Sequence, residues 1–383
     1  MTRRARKGHQ RQTPTQSAAV MSQKQESERK PEQESAPGQG RGAQQSSRRS
    51  SGRRGAGAGR LRLCGALWGL SALAALVPLV PATASPAAGP ASAPDRELRP
   101  LLLQKLRDNV SAVEHGVDGV MGVTIVDLKT GERLGWNQDA VFPVASAIKL
   151  PILIELLRQS QLAAAGTPGL ARLNDSYTLR AQDVVSDSSI LAGLSAGAVL
   201  SNQDLATFMV VVSDNGATNV LIDRLRMESV NSLLGRLSLS QTRLRRKMMD
   251  SQAVRRGLEN TSTPAELAQL WEKLYQGQLL DAAHTELALR LLSLSKADFL
   301  SAELPEEPGL RVASKPGSLD GARTDAGIIW AGRQKERPFI VSAMVAYAHN
   351  GKAAEAAIAR VAAAAYSYFE RLAESSPYGR RLP

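Results

Sequence analysis

The chain has 383 residues, 43% of them hydrophobic, and a formal net charge of +12. This length and apolar content suit one large domain or two to three ordinary ones, and they exclude a chain that is disordered throughout. The charge is concentrated in residues 1–62, which hold 15 basic and four acidic side chains and so account for +11. Because the remaining residues are close to neutral, we expect no nucleic-acid partner, and a basic-tail binder of nucleic acid or anionic membranes is only an alternative.

Three segments are predicted ahead of the folded body. Residues 1–60 are rich in Gln, Ser, Arg and Gly, which predicts a disordered basic tail. Residues 61–84 contain an uncharged apolar stretch that is short for a spanning helix and ends in small residues suited to a cleavage site. We therefore predict a signal peptide or a single membrane anchor, and an exported protein that is periplasmic or otherwise extracytoplasmic. Residues 85–95 are predicted to be a Pro/Ala linker.

Cysteine and histidine usage gives no sign of a cofactor. The single cysteine, Cys64, lies at the start of the apolar stretch and can form neither an internal disulfide nor a thiolate metal site. The four histidines are scattered and lack the paired spacing of metal ligands. We therefore expect no metal and no cofactor.

Residues 96–375 are predicted to form one catalytic domain of mixed secondary structure. Helical spacing of apolar residues and strand-like runs between turn residues predict the following elements: a helix at 96–115, strands at 122–127 and 133–136, a mostly helical block at 144–300, strands at 311–314, 326–330 and 339–347, and a helix at 353–373. The simplest assembly is an α+β fold, an α/β sandwich. Its antiparallel sheet of about five strands comes from both chain ends, with flanking helices and an inserted all-α domain.

Ser146 and Lys149 are the first candidates for chemistry. Ser146 precedes a long apolar run predicted to be a buried helix, and Lys149 lies three residues on, hence on the same helical face. A serine hydroxyl becomes a good nucleophile when a nearby base takes its proton, and a lysine can be that base if burial or a second cation lowers its pKa. Alone the pattern is weak, because it also occurs at Ser27–Lys30 and at Ser293–Lys296.

A second motif, Ser213-Asp214-Asn215, follows an apolar run and so marks a helix end or a turn. Ser213 can relay a proton to a leaving group, and Asn215 can hold an acyl carbonyl and hydrogen-bond the lysine. Because Ser, Asp and Asn all cap helices, a capping turn is the simpler explanation of this tripeptide when it is taken alone.

The third motif, Lys315-Pro316-Gly317-Ser318, follows the first of the late strands. Lys315 can bind a substrate carboxylate, and Gly317 allows the backbone to approach a ligand closely. The backbone N–H groups of Ser146 and Ser318 can then form an oxyanion hole. Taken alone, this motif is more typical of a strand that ends in a Pro-Gly turn.

The three motifs occur in this order, 67 and 102 positions apart. Together they resemble the motifs of penicillin-interacting serine hydrolases, specifically of the class A β-lactamase-like family, over most of residues 96–373. The resemblance implies a β-lactamase/transpeptidase-like fold and acyl transfer from a β-lactam amide or a D-alanyl-D-alanine peptide to Ser146. It implies roles for the other residues: Lys149 as general base, Ser213 as proton relay, Asn215 in positioning the substrate, and Lys315, Gly317 and Ser318 in binding it.

The sequence departs from this family at Pro316, where the family has Thr or Ser. Proline removes a hydroxyl and a backbone donor. Binding of the substrate carboxylate then depends more on Lys315, Ser318 and Arg323, whose guanidinium can form a bidentate pair with a carboxylate.

A second departure concerns the release of the acyl group. The family carries a glutamate that activates the deacylating water, whereas the corresponding residues 243–250 contain none. Asp250, the nearest acid, is the candidate substitute for this acid/base, and the basic residues of the stretch are expected to be solvated.

The function therefore has one main prediction and two alternatives. The main prediction is a class A β-lactamase-type hydrolase. The first alternative is a penicillin-binding D,D-carboxypeptidase or transpeptidase with slow deacylation, and the second is a non-catalytic sensor of β-lactams or muropeptides. The expected partner is a small-molecule β-lactam or a peptidoglycan stem peptide, with a membrane contact through residues 61–84 if they are not cleaved. We expect a monomer.

Overall fold

The first helix begins at Ala93, so it takes in the last residues of the predicted linker. The computed structural model describes residues 93–294, 298–307, 310–334, 337–376 and 378–382. The predicted tail at 1–60 and the apolar segment at 61–84 lie outside the described residues. Among the described helices, none has the length and apolar character that a membrane span requires.

The described elements follow the predicted order, and the strands β1, β9 and β10 extend beyond their predicted bounds. The helices are α1 (Ala93–His115), α2 (Lys149–Ala164), α3 (Asn202–Val211), α4 (Asn215–Leu225), α5 (Met227–Arg236), α6 (Ser251–Arg255), α7 (Pro264–Tyr275), α8 (Ala282–Ser293) and α9 (Gly351–Glu374). The strands are β1 (Val120–Asp127), β2 (Arg133–Trp136), β3 (Phe142–Pro143), β4 (Ser176–Thr178), β5 (Val199–Ser201), β6 (Thr261–Ser262), β7 (Arg311–Ser314), β8 (Gly317–Leu319), β9 (Ala322–Ala331) and β10 (Arg337–Ala346).

The main sheet is antiparallel and comes from the two ends of the described body. Its order is β2-β1-β10-β9-β7, and β8 also pairs with β9. Strands β7 and β8 share one register along β9, since Ser314 pairs with Gly327 and Gly317 with Thr324. The predicted five-stranded sheet is thus confirmed, with its edge strand divided in two. Pro316 is tolerated between the two parts because an edge strand has backbone positions that need no ladder bond.

Helices cover both faces of this sheet, which explains why β1, β9 and β10 are buried along almost their whole length. On one face α1 and α9 pack together, and α9 lies on β9 and β10. The stacked rings of Phe339 and Phe369, with centroids 4.3 Å apart, belong to this core. On the other face lie α7 and the helical lobe. Both hydrophobic cores are formed by residues between Leu106 and Phe369, so residues 93–382 contain both of them.

The helical lobe is built around α2, whose residues Lys149–Leu157 are all buried. Burial on every side explains the continuous apolar sequence of this helix. Two small sheets, β3–β6 and β4–β5, interrupt the block that was predicted to be mostly helical. A short 3₁₀ turn, Ala145–Ile148, leads into α2 and contacts β8 and β9. This turn therefore places the start of α2 beside the edge of the main sheet.

Candidate active site

Ser146 lies half-buried in the 3₁₀ turn ahead of α2. The preceding residue, Ala145, has a φ of 48°, a left-handed conformation that is unfavourable for a residue with a β-carbon. The turn also touches the edge strand, because a β-carbon at Gly317 would lie only 2.8 Å from Ser146 N. Strained backbone and a close approach at neighbouring residues of one turn are typical of a functional site.

Lys149, at the first position of α2, is fully buried. Its Nζ lies 2.6 Å from Ser213 O, 3.0 Å from Ser213 Oγ and 2.8 Å from Asn215 Oδ1. Burial, and then the nearby positive charge of Lys315, hold the pKa of Lys149 well below its usual range, and the Asp214 carboxylate opposes them. Lys149 is therefore poised to be a neutral amine, which is the form that can accept a proton.

Ser213 and Asn215 both reach Lys149 because the motif forms the junction of α3 and α4. Ser213 has a φ of 58°, and Asp214 is the N-cap of α4, where its side chain accepts a hydrogen bond from Ala217 N. The second carboxylate oxygen of Asp214 accepts from the backbone N–H groups of Ile190 and Leu191. The two interpretations of this tripeptide, a capping turn and a catalytic motif, are therefore both met by one structure. Asp214 caps helix α4, while Ser213 and Asn215 face Lys149.

Lys315 approaches the same hydroxyl from the edge strand. Its Nζ lies 3.3 Å from Ser213 Oγ and 3.0 Å from Pro316 O, and its side chain is 1% exposed. Burial lowers the pKa of Lys315 to about 8, while the Asp325 carboxylate counteracts part of this effect. Lys315 therefore stays mainly cationic at neutral pH, in contrast to Lys149.

These contacts define the direction of a proton path. A neutral amine has two N–H donors and one lone pair. The oxygens Ser213 O and Asn215 Oδ1 can take the two N–H groups of the neutral form of Lys149, which leaves its lone pair free to accept a proton. Ser213 Oγ lies 3.0 Å from the same Nζ. The Lys315 ammonium donates to that oxygen from the other side. Ser213 thus stands between a proton donor and a proton acceptor.

The edge strand supplies a second feature, a backbone donor beside Ser146. Lys315 N donates to Ala326 O of β9, 3.0 Å away. Because donors alternate along an antiparallel strand, the N–H of Ser318 points away from β9 and towards the cleft. Glycine is needed at position 317, between Lys315 and Ser318, because a β-carbon there would lie 2.8 Å from Val144 O as well as close to Ser146 N.

A cavity of about 330 Å³ opens next to these groups, although Lys149, Ser213 and Lys315 are not themselves among its lining residues. Four residues singled out from the sequence line it, namely Ser146, Asn215, Ser318 and Arg323. Further lining residues include Asp187, Arg246, Met248, Met249, Asn260 and Asp320. Within the part of the chain that the structure describes, no group of three or more His, Cys, Asp or Glu is arranged to hold a metal ion.

Asp250 is not among the residues that line this cavity. It is the N-cap of the short helix α6 and accepts a hydrogen bond of 2.8 Å from Ala253 N. Two residues of this stretch, Arg246 and Met248, are both buried and part of the cavity wall, and Met248 is held by two hydrogen bonds between its backbone and the Asn219 amide. The placement of Met248 could not be predicted from the sequence, because an apolar residue in a loop carries no motif.

The expectation that the basic residues of this stretch are solvated is wrong for Arg246. Its side chain is 7% exposed and pairs with Glu259, the shortest N···O distance being 2.6 Å. The neighbouring Asn260 side chain accepts from the backbone N–H groups of Arg245 and Arg246. These bonds fix the stretch as a tight loop around a buried ion pair.

Arg323 lines the cavity, but most of its guanidinium is already occupied. Its Nε donates to Glu355 at 2.8 Å, and its Nη1 donates to Leu319 O and Ala322 O at 2.7 and 2.9 Å. Gly351 makes room for the guanidinium, since a β-carbon there would lie 2.1 Å from Arg323 Nη2. Glu355 was not found from the sequence, because its partner is 32 positions away and no motif links them.

Comparison with known proteins agrees with this geometry. The sequence profile of the β-lactamase enzyme family matches residues 105–369. β-Lactamase L2 of Stenotrophomonas maltophilia is 28% identical over 225 residues, which is 57% of this chain and 71% of that protein. β-Lactamase CARB-3 of Pseudomonas aeruginosa is 24% identical over 248 residues, covering 63% and 82%.

Solved structures show the same similarity. The crystal structure of a β-lactamase from Sphaerobacter thermophilus superposes with a TM-score of 0.61 at 30% identity, and the match covers 68% of this chain and 95% of that one. The structure of PBP-A gives a TM-score of 0.62 at 24% identity, covering 70% and 96%. At this lower identity the PBP-A likeness shows the fold alone.

Replacing Lys315 with Met tests the electrostatic coupling of the two lysines. The substitution removes the nearest positive charge and keeps a side chain of similar length, so the pKa of Lys149 should rise. NMR titration of isotope-labelled lysine side chains measures this shift directly. Lys352→Met is the matched control, because Lys352 is exposed and pairs with Glu355. An unchanged Lys149 pKa in Lys315→Met would mean that burial alone sets it.

Proposed function

Since the chain belongs to the β-lactamase enzyme family, we propose that it is an exported serine hydrolase that opens the amide of a β-lactam by acyl transfer to Ser146. The observation that carries this proposal is the pair of buried lysines around Ser213 Oγ, one poised to be neutral and one cationic. Such a pair provides a base and a carboxylate-binding charge in one cleft without a cofactor.

Acylation follows from these positions. Neutral Lys149 takes the Ser146 hydroxyl proton as the Ser146 oxygen attacks the amide carbon. The negative charge that develops on the carbonyl oxygen is stabilised by the N–H groups of Ser146 and Ser318. The proton then passes from Lys149 through the Ser213 hydroxyl to the amide nitrogen, the C–N bond breaks, and the substrate is left as an ester of Ser146.

Substrate binding is assigned to the two sides of the cleft. Lys315, which carries positive charge at neutral pH, binds the substrate carboxylate, and Ser318 adds a hydrogen bond from the exposed edge. Arg323 contributes through its Nη2 group, which takes no part in its hydrogen bonds to Glu355, Leu319 and Ala322. Asn215 holds the acyl side-chain amide from the opposite wall.

Release of the acyl group is the slow step in this proposal. Hydrolysis of the ester needs a base that activates water next to Ser146. The carboxylates in the cavity wall, Asp187 and Asp320, come from other loops. Within residues 243–250 the two buried residues at the cavity are Arg246 and Met248, neither of which is a carboxylate, and Asp250 is used as a helix cap. This observation favours a second candidate function, a penicillin-binding D,D-carboxypeptidase or transpeptidase that is acylated readily and turns over slowly on β-lactams.

Acylation of Ser146 is tested by exposure of the protein to benzylpenicillin followed by peptide mass spectrometry. We expect one adduct, on the peptide that contains Ser146. Lys149→Ala should slow its formation by about 10²- to 10⁴-fold, the usual contribution of a general base. Ser146→Ala should form no adduct. A folded wild-type protein that binds penicillin reversibly without an adduct would instead support the non-catalytic sensor.

The pH dependence of acylation should be bell-shaped. Lys149 must be neutral, so the rate should fall as the pH drops through its lowered pKa. Lys315 must be charged, so the rate should also fall as the pH rises past about 8, the pKa of that group. Stopped-flow measurement with a fluorescent penicillin gives both limbs. In Lys315→Arg the guanidinium stays charged, so the alkaline limb should move to higher pH. If this limb does not move, Lys315 is not its source.

Met248→Glu tests the assignment of slow deacylation. A carboxylate in this wall can activate water, so loss of the acyl group from Ser146 should accelerate by about 10²-fold or more. Decay of the benzylpenicillin adduct by intact-protein mass spectrometry measures this rate. Met248→Gln has the same size without the base and should leave the decay unchanged. Fast decay already in the wild-type protein would overturn the slow-turnover proposal while leaving acylation intact.

A further inference from the structure

A second surface of the folded body, on the α1 and α9 side of the sheet, is both apolar and cationic. We refer to it as the α1–tail face, which consists of Leu98–Lys105 of α1, Arg371 and Leu372 of α9, and the C-terminal tail residues 375–376 and 378–382. A cavity of about 590 Å³ runs along it and is lined by leucines, hydroxyl side chains and four cations. No step of the proposed reaction uses these residues.

The apolar part of this face is exposed although it lies on ordered elements. Leu98 and Leu101 on α1 are 48% and 62% exposed, and Tyr378 and Leu382 in the tail are 68% and 44% exposed. The tail packs on α1, since a β-carbon at Gly379 would lie 3.7 Å from Leu98 Cδ1. On the surface of a soluble protein, large exposed apolar side chains are usually scattered. Four of them on two adjoining segments therefore indicate a contact site.

The charge of this face is positive. Lys105, Arg371 and Arg380 are exposed, and among the side chains that the structure describes from Leu98 onwards no carboxylate lies within 4.0 Å of their cationic groups. Other cations of the face are neutralised by ion pairs: Arg99 with Glu132, Arg337 with Asp127, and Arg381 with Glu374. Glu370 lies beside Arg371 in an adjoining cavity and offsets one of these three cations, so the described side chains of the face keep a positive net charge.

We propose that the α1–tail face docks the folded body on an anionic phospholipid surface. Surfaces that enter the headgroup region of a bilayer typically combine exposed apolar side chains with Lys, Arg and Tyr, as this face does. Each cation near such a surface adds to the binding, and this term is lost at high salt. A second copy of the chain fits less well, because a symmetric contact would bring the same three cations together.

The course of the chain agrees with this partner. The predicted signal or anchor segment ends at residue 84, nine residues before α1 begins at Ala93. Nine residues span at most about 30 Å. Wherever that segment is held in a bilayer, the face that starts at Leu98 is within reach of its surface. The cleft lies at the edge of the sheet beside α2, whereas α1 and α9 cover the opposite face, so docking leaves the cleft open to solvent.

Vesicle co-sedimentation of residues 93–383, which contain both hydrophobic cores, tests this proposal without the basic tail and the apolar segment. We expect binding to vesicles of mixed phosphatidylglycerol and phosphatidylcholine, weak binding to phosphatidylcholine alone, and release at high salt. Removing Lys105, Arg371 or Arg380 singly, by substitution with Gln, should weaken binding about fivefold each. The double variant Leu98→Glu with Leu101→Glu should abolish binding.

Val199→Glu with Leu294→Glu is the matched control. These side chains of the helical lobe are 64% and 48% exposed, which is close to the exposure of Leu101 and Leu98. It should bind vesicles as the unchanged fragment does. Thermal unfolding by circular dichroism verifies that each variant is folded, and labelling of Ser146 with a fluorescent penicillin should be unchanged in both double variants. This readout separates the docking surface from the proposed reaction.

Three outcomes would overturn the proposal: equal vesicle binding by the two double variants, no preference of the folded fragment for anionic vesicles, or concentration-dependent dimerisation that Leu98→Glu with Leu101→Glu abolishes in the absence of vesicle binding. The last outcome would assign the face to a second copy of the chain.

Discussion

Two buried lysines that share one serine hydroxyl impose the main constraint on this protein. The Nζ atoms of Lys149 and Lys315 lie 3.0 and 3.3 Å from Ser213 Oγ, and neither side chain reaches solvent. Two ammonium groups this close and this dry repel each other and lack water to solvate them. Burial together with the charge of Lys315 lowers the pKa of Lys149 well below its usual range, so Lys149 is the group that these two effects favour as a neutral amine. In the proposed function, the same arrangement that costs solvation energy makes Lys149 the base.

The fold meets this constraint by bringing the three side chains from separate elements that are each rigid. Lys149 is fixed by the buried helix α2, Ser213 by the α3–α4 junction, and Lys315 by the continuous register of β7 and β8 along β9. The unfavourable left-handed conformations at Ala145 and Ser213 persist because their surroundings over-determine them. Asp214 shows how, since its two oxygens accept three backbone hydrogen bonds around the second of these positions.

Local patterns were enough to predict much of this arrangement, and long-range pairs were not. Ser146 and Lys149 are three positions apart, so helical geometry alone brings them to one face. The sheet also followed from the sequence, because its strands are apolar runs bounded by turn residues. The pairing of Arg246 with Glu259, and of Arg323 with Glu355, depends on how loops and helices pack in three dimensions. Neither residue type nor spacing signals such a pair, and both arginines were therefore expected to be freer than they are.

The apolar wall at Met248 can be understood in the same electrostatic terms as the lysines. A carboxylate beside the cleft would activate water, but it would also favour the charged form of any nearby lysine and so raise the pKa of Lys149. In this chain the positive charge of Lys315 is the largest electrostatic influence on Lys149 after burial, with only the helix-capping Asp214 opposing it. The carboxylates of Asp187 and Asp320, which also line the cavity, are not among the main influences on the pKa of Lys149. In the proposed function, the acylating base and the slow deacylation step therefore both depend on the absence of a further carboxylate close to Lys149.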